Sequence, residues 1–295
     1  AEGQQNTFIG DASGQGINTA GDGSDHLDGD NNTAVGYQAG YLLQTTAQNN
    51  TLIGALAGDA ITTGSHNTII GRSAGSKITT VNDVVYIGYA AGYQDTTGQK
   101  NIGIGSSALY NMATGASGGV PTENVAIGHL ALQDMNQDTA SPYGYNTAIG
   151  YKAGLNLTSG TTNTHVGSAA GGNGIITGAG NTTLGYAAGY TLTGGAYNTF
   201  LGSTSGTIVA GGSFNLCAGY KSGSNLTTGT NNVLLGNNVT ASANSVTYEI
   251  CIGAGVDNST AFAGGGTETC KIGRVSDYIT VDFGEDASWG HTSDV

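Results

Sequence analysis

The chain has 295 residues, of which 53 are Gly and two are Pro, with charged residues at 9% and a formal net charge of −13. Gly does not fall at every third position, which excludes a collagen helix, and the abundant Thr, Val and Ile with little charge exclude a disordered tail. No run of about 18 apolar residues is present to insert into a membrane, and seven scattered basic residues form no stripe to neutralise the phosphates of a nucleic acid.

The chain opens almost directly on a repeat unit, Asn6 to Gly10, with no charged-then-apolar leader, so an N-terminus cropped from something longer is expected. An acidic insert follows, Gly21-Asp22-Gly23-Ser24-Asp25-His26-Leu27-Asp28-Gly29-Asp30. It matches one copy of a calcium β-roll repeat, which makes Asp22, Asp25, Asp28 and Asp30 candidate calcium ligands through hard carboxylate oxygens. Calcium is the only cofactor indicated. A solvated acidic loop is the other reading, because such a site is completed by a neighbouring copy and only one copy occurs.

From there the unit N-T-φ-φ-G-x-x-A-G recurs, as NTLIGALAG at 50–58, NTIIGRSAG at 67–75 and NTAIGYKAG at 146–154. Its central Gly returns from Gly10 to Gly273, and ten of the fourteen intervals are 17 or 18 residues. Longer intervals mark inserts at 15–31, 109–123 and 132–145, where loops for contact are expected. Strand, turn, strand and turn at a fixed period predict an all-β fold, a parallel β-solenoid (β-roll) of about 15 coils with a roughly 17-residue repeat. The solenoid domain spans 1–273, followed by a non-repetitive cap or junction at 274–295. Coils stacked at the strand spacing make a rod of roughly 70 Å.

Each column of the repeat has a physical job. The aliphatic residue before the Gly, such as Ile53, Ile70 or Leu201, and the residue two earlier, such as Thr51 or Val85, are expected to point inward. The small residue three past the Gly, such as Ala57 or Ala153, fits a narrow interior. Asn at the head of the unit is suited to a turn and to a stacked ladder of amides. Segments such as 60–64 and 225–229 read as a second short strand. The middle strand position, Leu52, Ile69, His165 and Cys217 among others, is expected to face outward, yet it is mostly apolar. A strand apolar on both faces is buried on both, so the chain is expected to pack against copies of itself as a homotrimer about a shared axis.

Tyr37, Tyr89, Tyr151, Tyr186 and Tyr220 follow the central Gly, and Tyr41, Tyr93 and Tyr190 follow the A-G step. They form either an aromatic stripe that packs sugar rings or a cover for coil edges and the subunit seam. His165, placed at the expected interface, is a candidate for an ion on the threefold axis. Cys217, Cys251 and Cys270 show no metal or disulfide spacing. Carboxylates are sparse in the coils, with no pair set in a cleft, so no catalytic residues are assigned and no enzymatic activity is expected.

The N-T-φ-φ-G-x-x-A-G units resemble the head repeats of trimeric autotransporter adhesins, and still more the longer repeats of phage tail fibres; the resemblance covers 6–273. The chain's last residues, Thr292-Ser293-Asp294-Val295, are similar to the opening of the endosialidase-type intramolecular chaperone. That resemblance implies Ser293 as a chaperone cleavage junction. Together the two imply a virion tail fibre or a cell-surface protein. The implied partners are its own copies, other virion or fibre proteins, and a cell-surface glycan or protein receptor. An extracellular filament built by end-to-end stacking and an ice-binding solenoid are the other readings.

Overall fold

Each repeat unit contributes one short strand, because the central Gly turns the chain after three extended residues. In the computed structural model, which describes residues 5–16, 29–44, 46–96, 98–112, 122–135, 144–255 and 260–283, the first strands are β1 (Thr7–Ile9), β2 (Thr33–Val35), β3 (Thr51–Ile53), β4 (Thr68–Ile70), β5 (Val85–Ile87), β6 (Ile102–Ile104) and β7 (Val125–Ile127). They continue as β8 (Thr147–Ile149), β9 (Thr164–Val166), β10 (Thr182–Leu184), β11 (Thr199–Leu201), β12 (Leu216–Ala218) and β13 (Val233–Leu235). Strands pair in parallel with the next coil and in one register, so that Thr182 meets Thr199 and Leu184 meets Leu201. On the opposite wall β14 (Val239–Thr240) pairs with β16 (Phe262–Ala263). The main ladder runs on through β15 (Ile250–Ala254) and β17 (Thr269–Arg274) and ends at β18 (Asp277–Asp282), which lies antiparallel to β17. The fold is therefore the expected all-β parallel solenoid with a repeat of about 17 residues.

Two features of the sequence lock the stacking. The corner glycines from Gly10 to Gly236 hold φ between +119° and +137°. A Cβ at Gly54 would come within 2.7 Å of the Gly71 carbonyl, so both the backbone angle and the close approach of the next coil require Gly. The Asn column forms a buried amide ladder. Asn215 Nδ2 donates to Asn198 Oδ1 at 3.0 Å and to Gly229 O at 2.9 Å, while Asn198 Oδ1 also accepts the Asn215 N–H at 3.0 Å. The same pattern joins Asn146, Asn163, Asn181 and Asn198. Val84 interrupts it: its N–H reaches Asn67 Oδ1 at 3.2 Å, but its side chain passes nothing on.

The facing of the strand is the reverse of the sequence expectation. The middle residue points inward: Ala34, Leu52, Ile69, Tyr86, Ala126, Ala148, His165, Phe200, Cys217 and Leu234 are all fully buried. The residues on either side of it point out, with Ile9 59% and Leu184 49% exposed. The physical reason is volume. The interior also holds the small column, Ala57, Ala74 and Ala153 among others, and the opposite wall's Ile61, Ile78 and Leu157. Only a column that shrinks to Ala or Gly where a neighbour is large fits between them. Gly103 shows this directly, since a Cβ there would meet the Tyr86 ring at 2.9 Å.

The second strand expected in segments such as 60–64 and 225–229 is mostly a bent wall rather than a ladder. Coils are joined there by donors that converge on one carbonyl, as the N–H groups of Thr62 and Thr63 do on Thr79 O at 2.9 and 3.3 Å, and by isolated bridges at Leu157–Ile176 and Thr230–Thr247. The Thr-Thr-Gly turn bends the chain before pairing can extend. The apolar core falls into two clusters, one reaching from Ala34 to Ile176 and one from Ala188 to Phe262. Between them His165 and Thr183 take the inward position, with His165 Nδ1 2.9 Å from Thr183 Oγ1.

Candidate functional site

Three-residue strands expose two side chains per coil, and the parallel register stacks them into two columns on one flat sheet face. One column holds Ile53, Ile70, Ile87, Ile104, Ile127 and Ile149, and the other alternates between Thr runs and Val, Ile or Leu. The strip is about 70 Å long and almost entirely apolar or Thr. It also outlasts the repeat. In β18 Ile279 lies opposite Ile272, and Val281 lies opposite Cys270, so both columns continue across a strand of reversed direction. Ile279 is 63% exposed, so the chain's own core does not account for it.

The tyrosines after the central Gly stand on the corner beside this strip. Tyr37, Tyr89, Tyr151, Tyr186 and Tyr220 are all exposed. From Tyr151 onward they alternate coil by coil with Ser168 and Ser203. Rings two coils apart are separated by about 10 Å, whereas aromatic residues in adjacent coils stack on one another, as Tyr93 and Tyr110 do at 5.1 Å and Tyr197 and Phe214 at 5.2 Å. The structure thus separates self-stacked aromatics from spaced ones. Lys152 Nζ lies 5.2 Å from the Tyr151 ring and Lys221 Nζ 5.3 Å from the Tyr220 ring, contacts of the cation–π kind. Neither lysine was singled out in the sequence as part of a site. The readable signal was their isolation: Asp138 and Glu249 bracket a stretch with no acidic residue, in which Lys152 and Lys221 are the only Lys or Arg.

His165 does not face a threefold axis. It is fully buried inside its own coil, where burial pushes its pKa down to about 4 from 6.5. The imidazole is thus neutral and packs as part of the interior. Cys217 and Cys251 are also inward, and burial pushes both thiols up to about 12, leaving them protonated and unreactive. A buried polar pair spans the core where Tyr86 donates to Asp95, whose other carboxylate oxygen accepts the Gly98 N–H at 2.7 Å. Burial, and then the Asp95 charge, hold the Tyr86 hydroxyl well above its ordinary pKa.

Of the candidate calcium ligands, Asp22, Asp25 and Asp28 lie outside the described residues, as does Ser293. Asp30 is described, and its carbonyl accepts the Asn49 N–H at 3.0 Å. Most of the expected contact loops at 15–31, 109–123 and 132–145 also lie outside the described residues. Among the described residues no group of three His, Cys, Asp or Glu side chains is placed to hold a metal. Comparison with family models, with curated proteins and with solved structures finds no match.

Proposed function

We propose that the chain is a non-enzymatic fibre component, a shaft or head segment of a phage tail fibre or surface adhesin, that gives reach and attachment on a virion or cell surface. The observation that carries this reading is the outward strip of Ile, Val, Leu and Thr, which continues into β18 beyond the repeat. A lone soluble protein rarely leaves so large a contiguous apolar surface in water. Three copies with these strips turned toward a shared axis bury it and add apolar area to the small core of a 17-residue coil. The resemblance of the repeat supplies the number three.

Two other readings are weaker on specific grounds. End-to-end filament growth requires the parallel ladder to continue, and β18 reverses the strand direction at that end. An ice-binding face requires a regular exposed Thr ladder; here the Thr run breaks at Val85, Ile102 and Val125 and stops after Thr199.

Sedimentation equilibrium tests the assembly. Three times the chain mass of 29.3 kDa is expected, and Ile149→Lys, which places a charge on the strip without touching the interior, is expected to yield folded monomers. A wild-type protein that stays at the single-chain mass overturns the proposal.

A further inference from the structure

The corner that carries Tyr151 and Tyr186 is also a groove. A depression of about 510 Å³ is lined by Tyr151, Tyr186, Tyr190, Ser168 and Lys152, with Thr204 at its end. Thr204 also lines the next depression, of about 440 Å³, together with Lys221, Thr207, Ser224, Asn238 and Thr240. The two are therefore contiguous along the rod axis. From β8 to β13 they cover five strand spacings, roughly 24 Å.

The chemistry of this groove is specific. The His129 ring lies 5.6 Å from that of Tyr151, backing it from the preceding coil, while the next coil presents only Ser168. The coils that carry Tyr151 and Tyr186 are two strand spacings apart, about 10 Å, enough for one ring to enter the depression that both tyrosines line. Its floor is made of small residues, Ser168, Ala169 and Gly172, with Asn173 beside them. Pyranose rings present an apolar C–H face suited to such an aromatic wall and hydroxyls suited to Ser, Thr and Asn.

Charge adds a second, independent constraint. The chain as a whole carries −13, yet from 139 to 248 it has no acidic residue, and the only two Lys or Arg there, Lys152 and Lys221, both line the groove. Four coils separate them, about 19 Å. A short ligand meets one lysine; an extended one meets both.

We propose that this groove binds an extended acidic polysaccharide laid along the rod axis, with sugar rings against Tyr151 and Tyr186 and its anionic groups at Lys152 and Lys221. This takes from the fibre reading only that the rod is displayed to a surface. Sedimentation decides the trimer and binding decides the groove, so either can fail without the other.

The test is calorimetric titration of the full chain with size-matched fragments of hyaluronan, alginate and heparin, alongside neutral dextran and polyglutamate. At least one acidic glycan is expected to bind more tightly than both controls, and to weaken as salt is raised. Tyr186→Ala is expected to weaken binding about tenfold, and the double variant Lys152→Ala with Lys221→Ala to reduce it to the level of dextran. Tyr248→Ala, an exposed tyrosine away from the groove, is expected to leave binding unchanged. Melting curves of each variant separate lost binding from lost folding. Binding to none of the three acidic glycans, equal binding of polyglutamate, or full binding by the folded groove variants overturns the proposal.

Discussion

His165 shows how one side chain in a narrow interior sets a condition on the whole rod. Its neighbours Ala148, Thr183, Gly154 and Gly171 carry no charge, and a Cβ at Gly171 would meet its ring at 2.6 Å, so protonation inside the coil has nothing to offset it. With a folded-state pKa of about 4 against 6.5 for the ordinary group, the unfolded chain takes up a proton between those values and the folded chain does not. The contribution is therefore complete above about pH 6.5 and is lost as pH falls toward 4, by about 3 kcal/mol in full. Urea unfolding at pH 7.5 and pH 4.5 is expected to show this loss in the wild type and a smaller loss in His165→Gln. Equal pH dependence in the two proteins contradicts it.

At the scale of the coil, the Asn ladder makes a sharper prediction. Val84 is the gap between Asn67 and Asn101, and it is buried like the amides on either side. An Asn there could donate to Asn67 Oδ1 and accept the Asn101 N–H, restoring the pattern seen from Asn146 to Asn232. Val84→Asn is expected to raise stability by about 1 kcal/mol, read as a higher midpoint in scanning calorimetry. A lowered midpoint means that Val84 is retained for its packing, and the ladder adds less than its geometry implies.

The same coil explains what could be read in advance. The Gly corners, the Asn ladder and the Ala column were legible because each demands a residue type that little else satisfies. The facing of the strand was not. A three-residue strand, apolar throughout, offers no polar alternation to orient it, and a strict Ile and Leu column reads as core. The informative signal lay in the looser column, where Gly103, Ala126 and Ala148 shrink to suit a cramped interior. The Tyr86–Asp95 pair was illegible for another reason: it depends on which residues from opposite walls meet, and no spacing rule supplies that. The tyrosine corner is legible in the repeat, but its division into self-stacked and spaced rings depends on coil positions, and the lysines stand out only against the acid-free stretch around them.

At the scale of the whole molecule, each strand of the ladder packs against its sequential neighbours, so the rod behaves as a row of nearest-neighbour units rather than one globule. The apolar interior changes over between the His165 and Thr183 coils, where the two clusters part. Units in series all carry the same tensile load and the row yields at its weakest joint, which is expected to be the one where the apolar interior is interrupted. Pulled from both ends in an optical trap, the rod is expected to yield first at β9–β10 and to lengthen in two separate steps, at lower force in acid. A single step that includes both halves contradicts this.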